Sequence, residues 1–386
     1  MEQNKHPEFE EIRCFYDEDV PEKLWPLADH PAIEPFVKAV LPDIDMEQFR
    51  MQLKSFTTIR EFQTKVIAKT VMALAQKTTD SLQLVGLENV KSDAATFITN
   101  HRDIVLDSAF LNSLLAVNGR ETAEIAIGDN LLAYDWIKDL VRLNKSFIVL
   151  RSVPVRQMLE VSKRLSSYIH YTIREKKSSV WIAQREGRSK DSSDQTQASV
   201  IKMLALGGES RDIIQNIRQL NFQPVALSYE FDPCDYLKAQ EFQLKRDNPE
   251  WKKTKQDDLL SMKTGILGYK GRVVFTICPE VNDTFDTYPW INDRNAQVNT
   301  VCQTVDRALH SNMHLFPINY IAYDLRFQTT KYADKYTKDE ETRVLSYLNG
   351  QLQKIQIPDR DEAFLWERML TMYSNPVVNV ENLNNQ

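Results

Sequence analysis

The sequence predicts an α/β fold: a mostly parallel central sheet flanked by helices, with a helical N-terminal subdomain and a helical C-terminal extension. Three observations predict it. Short apolar, β-branched runs such as TFIT, FIVL and VWIA recur through the middle of the chain. Between them lie stretches with apolar residues at helical spacing, and strands alternating with helices build parallel sheets. Before about residue 80, and again after about 285 as far as an irregular polar tail, the patterns are helical. The expected organisation is therefore 1–80, 81–285 and 286–386.

From the N-terminus onward, Asp45 to Gln76 carries apolar residues at roughly helical spacing. Pro21, Pro26, Pro31, Pro35 and Pro42 divide the stretch before it into short pieces. LQLVGLENV reads as a strand and turn, and AATFITN as a buried strand ending at Asn100 and His101. DSAFLNSLLAV is a helix, TAEIAIGDN a strand, LLAYDWIKDLVRLN a helix and KSFIVLRS a strand. A long helix from Val155 to Lys177 leads to the strand SSVWIAQREG. ASVIKMLALGG is a helix stopped by Gly207 and Gly208. FQPVALSYEF and GRVVFTICPEV are two further strands. LKRDNPEWKKTKQDDLL reads as a solvated charged insertion, and NPVVNVENLNNQ as an irregular polar tail.

Composition narrows the class. With 386 residues the chain suits two to three units, or one large core with helical additions. It is 42% hydrophobic and 26% charged, and its 10 Gly and 15 Pro exclude collagen-like or low-complexity chains. A net charge of −6 gives no global reason to expect nucleic acid. Cys14, Cys234, Cys278 and Cys302 form no CxxC and no zinc spacing, so they read as reduced thiols, and no metal is expected. MEQNKHPEFEEIRC is not a signal peptide, and no apolar run approaches the ~20 residues that span a bilayer. The expected location is the cytoplasm, with peripheral contact at the inner membrane surface open. The candidate contact residues are Phe49, Phe56 and Phe62. The first two share a helix face and the third does not, which favours core packing.

Chemistry gathers where the strands end. NHRD follows FIT, GDN follows EIAI, RS follows FIVL, QREGRSKD follows VWIA, and SYE follows PVAL. Ligands of parallel sheets collect at strand C-termini. His101 alone is weak evidence, since a lone His is more often a surface or core residue. Asp107 offers a partner. A carboxylate bonded to one imidazole nitrogen fixes the tautomer and leaves the other nitrogen as a base. Asp107 would equally suit the first turn of a helix, and the two roles are compatible. Arg102 and Asp103 could form a local solvent pair.

NHRDIVLD resembles the HX4D motif of the glycerolipid acyltransferase superfamily, which includes the glycerol-3-phosphate and 1-acyl-glycerol-3-phosphate acyltransferases. FIVLRS, EGRS and PVALSYE are similar to later blocks of that family, in its order, and KGRVVFTICPEV to the strand after them. The match spans about residues 81 to 285. It departs from the pattern in spacing: five residues, RDIVL, separate His101 from Asp107, so the motif is HX5D, with Asp103 as the fallback partner. EGRS is also one residue shorter than the family's usual EGTRS.

The resemblance implies an acyltransferase catalytic domain over 81–285. It implies transfer of a fatty acyl group from an acyl thioester to a hydroxyl of glycerol-3-phosphate or a lysophosphatidate, in phospholipid synthesis. His101 would be the general base and Asp107 its orienting partner. Arg151, Glu186, Gly187, Arg188 and Ser189 would bind substrate. The co-substrate and partner would be acyl-CoA or acyl carrier protein, with no cofactor. Phe110, Leu114, Leu131, Leu132 and Trp136 are candidates for an acyl groove, though ordinary core is the favoured reading. Other readings stay open: a different lysolipid acceptor, or an inactive protein that binds lipid or acyl carrier. A hydrolase is disfavoured, because there is no G-x-S-x-G elbow.

Overall fold

The computed structural model describes residues 6–132, 134–285, 287–288 and 292–384. The first five residues of the expected N-terminal subdomain, the expected start of the extension at Asp286, and the last two residues of the tail lie outside the described residues.

The chain opens with α1 (Val20–Ala28), α2 (Ile33–Val40), α3 (Met46–Ser55), α4 (Ile59–Phe62) and α5 (Ala68–Thr78), the last two joined by a π-helical turn. Pro31 and Pro42 fall between helices as expected. Pro35 lies in the first turn of α2, where its missing N–H has no helical partner to lose. Pro26 is carried inside α1. Phe49, Phe56 and Phe62 are all buried, packed with Leu24 and Leu53 in the core of this helical region.

Seven strands come next: β1 (Ser81–Val85), β2 (Thr96–Thr99), β3 (Glu124–Gly128), β4 (Ser146–Val149), β5 (Val180–Ala183), β6 (Phe222–Tyr229) and β7 (Arg272–Ile277). They form one sheet in the order β1-β7-β6-β2-β5-β3-β4. β6, β2, β5, β3 and β4 are mutually parallel. β7 runs antiparallel to β6, and β1 is parallel to β7. The connecting helices are α6 (Leu106–Val117), α7 (Asp135–Leu143), α8 (Met158–Arg174), α9 (Ala198–Ala205), α10 (Ile213–Arg218), α11 (Asp235–Asp247) and α12 (Lys255–Leu267). After the sheet come α13 (Asn282–Phe285), α14 (Arg294–Ser311), α15 (Pro317–Phe327), α16 (Lys338–Leu352) and α17 (Glu362–Asn384).

Alternation along the strands builds two cores. Ile98, Ile182 and Phe147 pack under α8, α9 and α14. Phe97, Trp181, Ile125 and Phe275 pack under α5 and α6 on the other face. Two expectations are corrected. The charged insertion is largely solvated, but it also closes α11 and opens α12, because Thr254 and Asp257 form a reciprocal capping box. The tail is helical as far as Asn384. Its asparagines serve docking: Asn375 and Asn379 donate to the carbonyls of Asp191 and Ser192, at 2.7 and 3.1 Å.

Candidate active site

Because β2 to β6 share one direction, the five polar strand ends come to one end of the sheet. The reversal of β7 adds its N-terminal residues, Lys270 and Arg272, to the same end. Arg272 makes a forked ion pair with Glu230 at the end of β6.

His101 leaves β2 on the Trp181 face of the sheet, with its ring edge-on to that indole at 5.9 Å between centroids. Its Nδ1 lies 2.8 Å from Asp107 Oδ2. That oxygen also accepts the backbone N–H groups of Arg102 (2.6 Å) and Asp103 (3.1 Å), while Oδ1 accepts from the Tyr229 hydroxyl at 3.0 Å. Asp107 is wholly buried, so these four donors replace its hydration and fix the carboxylate. Burial, and next the charge of Asp107, push the Tyr229 hydroxyl well above its ordinary value, which keeps it a neutral donor. With Nδ1–H held by Asp107, Nε2 is left with a free lone pair.

The extra residue of the HX5D spacing is absorbed before α6 begins. Asp103 Oδ1 accepts the N–H groups of Val105 (2.9 Å) and Leu106 (2.8 Å), forming a turn that starts the helix one residue late. His101 thus pairs with Asp107, and Asp103 orders the turn before α6 instead. Burial, then the neighbouring Asp107, raise its carboxyl above the usual range, and Arg188 opposes the shift. Gly265 of α12 sits directly on it: a Cβ there would fall 1.9 Å from Asp103 Oδ2. Arg102 turns the other way into a buried fork with Asp194.

A cavity of about 450 Å³ opens beside His101. Its mouth carries His101, Arg151, Arg185, Glu186 and Gly187, and the rest of the wall is mainly aliphatic. Pockets of this size with a few convergent polar groups are usual ligand sites. Ile125 and Ile127 line it on one face of the sheet, Ala126 and Ile182 on the other, so it wraps the β3 end of the sheet. Among the expected groove residues, Leu131 and Leu132 line the cavity. Phe110 and Leu114 belong to the core below the sheet, and Trp136 packs on the N-terminal helices beside His30.

The loop after β5 divides its residues between two sides. Glu186 is exposed and pairs with Arg151 at 3.2 Å. Gly187 has φ +68°, a left-handed conformation in which any side chain is strained. Arg188 and Ser189 do not face the cavity. Ser189 is buried and ties the loop back, its N–H donating to the His101 carbonyl at 3.0 Å. Arg188 lines a separate small recess with Lys238 and Glu241, near Asp103, Asp232 and Cys234, and its Nη1 has no hydrogen-bond partner among the described residues. Within this loop the cation that faces the cavity, beside Arg151 from the end of β4, is not Arg188 but Arg185. Its Nε is buried without a partner among the described residues. The signal was available: Arg185 keeps the parity of Trp181 and Ala183 and so continues their face of β5.

Among the described residues no group of His, Cys, Asp or Glu is arranged to hold a metal ion. No protein-family model matches the chain, and no curated protein matches it. Among solved structures it is similar to the 1-acyl-sn-glycerophosphate acyltransferase PlsC of Thermotoga maritima. That similarity has 11% identity and a TM-score of 0.34, and covers 75% of this chain and 97% of that one.

Proposed function

We propose that the protein is an O-acyltransferase that moves a fatty acyl group from a thioester, acyl-CoA or acyl carrier protein, to a hydroxyl of glycerol-3-phosphate or a lysophosphatidate. The observation that carries this reading is the His101–Asp107 pair at the polar mouth of an aliphatic cavity. Nε2 of His101 takes the hydroxyl proton as the oxygen attacks the thioester carbonyl, and the thiolate leaves with a proton. Asp107 holds the imidazole in the required tautomer and stabilises its protonated form. In this reading the acceptor oxygen attacks the thioester directly, with no acyl-enzyme. Arg151 and Arg185 meet an anionic group on the acceptor, and Gly187 admits it close to the backbone. The acyl chain enters the aliphatic part of the cavity.

Thiol release from acyl-CoA and acyl carrier protein, with and without each acceptor, tests the reading. Acceptor-dependent release by the wild type, lost in His101→Ala, is the expected result. Release that no acceptor stimulates, or that survives His101→Ala, sinks it.

A further inference from the structure

The mouth of the cavity is flanked by exposed aliphatic side chains on two separate helices. On one bank, Val155 is 84% exposed, Leu159 69% and Met158 51%, while Met158 also lines the cavity. On the other bank, Met262 of α12 lines the cavity and Leu259, one turn before it, is 49% exposed, while Leu260, 47% exposed, stands over the neighbouring recess of Arg188. Both banks lie at the same end of the sheet. α8 starts after the C-terminus of β4, and α12 lies against Asp103 at the C-terminus of β2. Large aliphatic side chains standing out together around one opening are unusual for a free surface.

The charges interleaved with them are mostly positive. Arg156, Lys163, Lys252, Lys255 and Lys263 are exposed and make no ion pair among the described residues, against three carboxylates without an ion pair, Glu160, Glu250 and Asp257. Lys163 lies one helical turn beyond Leu159, so it shares that side of α8, and Val155 stands in the 3-10 turn just before the helix. The chain as a whole carries −6. A cationic, aliphatic face on an acidic protein matches an anionic lipid surface, where aliphatic tips enter the acyl region and Lys and Arg reach the headgroups. The side chains protrude from both banks. A protein partner would need a fitted hollow for each, whereas a bilayer yields to any of them.

We propose that the Val155–Lys163 segment and α12 form a docking face for an anionic bilayer, which seals the cavity mouth against the membrane. This stands on the surface alone and not on the acyltransferase reading, so its test measures binding rather than turnover. The full chain is floated with vesicles of phosphatidylcholine alone or mixed with phosphatidylglycerol. The expected result is binding to the anionic vesicles, weakened by salt. Val155→Asp/Leu159→Asp and Leu259→Asp/Leu260→Asp should each cut the bound fraction about tenfold. Lys252→Glu and Lys255→Glu should each cut it about fivefold. Val117→Asp, exposed at the far end of α6, should bind as wild type.

A second readout does not depend on the Asp variants folding. All four native cysteines are buried, so a polarity-sensitive dye can be placed at Val155→Cys or Val117→Cys. Only the Val155 probe should shift to the blue with anionic vesicles. Absence of wild-type flotation, equal shifts at both probes, or a face that binds an acidic acyl carrier protein but no vesicle would overturn the proposal.

Discussion

At the scale of single residues, the candidate site rests on one carboxylate with four donors. Asp107→Asn keeps the shape but replaces one acceptor oxygen by a donor, so it cannot accept from Nδ1–H, the Arg102 and Asp103 amides and Tyr229 together. It should lower kcat in the thiol-release assay about 10²–10⁴-fold, as His101→Ala should. Asp103→Asn keeps a carbonyl oxygen for the N–H groups of Val105 and Leu106 and should retain most activity. Asp103→Ala loses both turn hydrogen bonds and should cost about 1 kcal/mol in denaturant unfolding. Equal kcat losses at 103 and 107 would mean that Asp103 does more than start the helix. Arg185→Ala and Arg188→Ala separate the two arginines. The first should raise KM for a phosphorylated acceptor, and the second should act through stability.

At the scale of elements, α12 and the turn before α6 are fitted to each other. Gly265→Ala would drive a methyl into Asp103, so one must move. Overpacking of this kind costs about 1–3 kcal/mol. Here the loss should appear in kcat as well as in stability, because the displaced turn carries the N–H groups that hold Asp107. A variant with lowered stability and unchanged kcat would show that the turn yields without moving His101. The link between α11 and the C-terminal helices is a different device. Asp235 is fully buried and accepts from Tyr373 of α17 at 2.8 Å and from Gln351 of α16 at 2.5 Å. Burial first, then Asp232, push its carboxyl up to about 7. A carboxyl raised in the folded state favours folding while protonated. Its contribution is therefore full below the ordinary carboxylate range, near 4, and fades as pH rises to 7. Unfolding free energies measured across that window should show wild type losing a few kcal/mol relative to Asp235→Asn, at about 1.4 kcal/mol per pH unit. Parallel curves for the two proteins would remove Asp235 as the cause.

At the scale of the whole molecule, the loop after β5 is anchored on both sides. The Arg102–Asp194 fork is buried, and Asp194 also lends its carbonyl to His310 of α14 at 3.0 Å. Asp194→Ala would strand a buried guanidinium and should destabilise by about 3–5 kcal/mol. Calorimetry should show this as a large fall in Tm, and a shift within error would mean that water reaches Arg102. The same loop is tied to α17 through Asn375 and Asn379, so the C-terminal helices brace the site without lining the cavity.

Much of this was legible in the chain itself. Short continuous apolar runs and the helical stretches between them set the α/β class, because strands buried on both faces lose the alternation that one solvated face would impose. The polar residues that end those runs marked the end of the sheet where a site would form. His101, Asp107, Arg151, Glu186 and Gly187 were all visible there. The irregular reading of the tail failed because its asparagines look like loop formers until the carbonyls they meet are known. Three matters belonged to the tertiary structure. β7 runs against β6, since a strand's own residues do not state its direction. Arg185 rather than Arg188 faces the cavity, because the left-handed turn at Gly187 sends Arg188 and Ser189 to the other side. And Asp107 reaches His101 across five intervening residues, because Asp103 folds the spare one into a turn whose amides then bind Asp107 itself. Spacing counts residues along the chain, whereas the hydrogen bond depends on where the backbone between them goes.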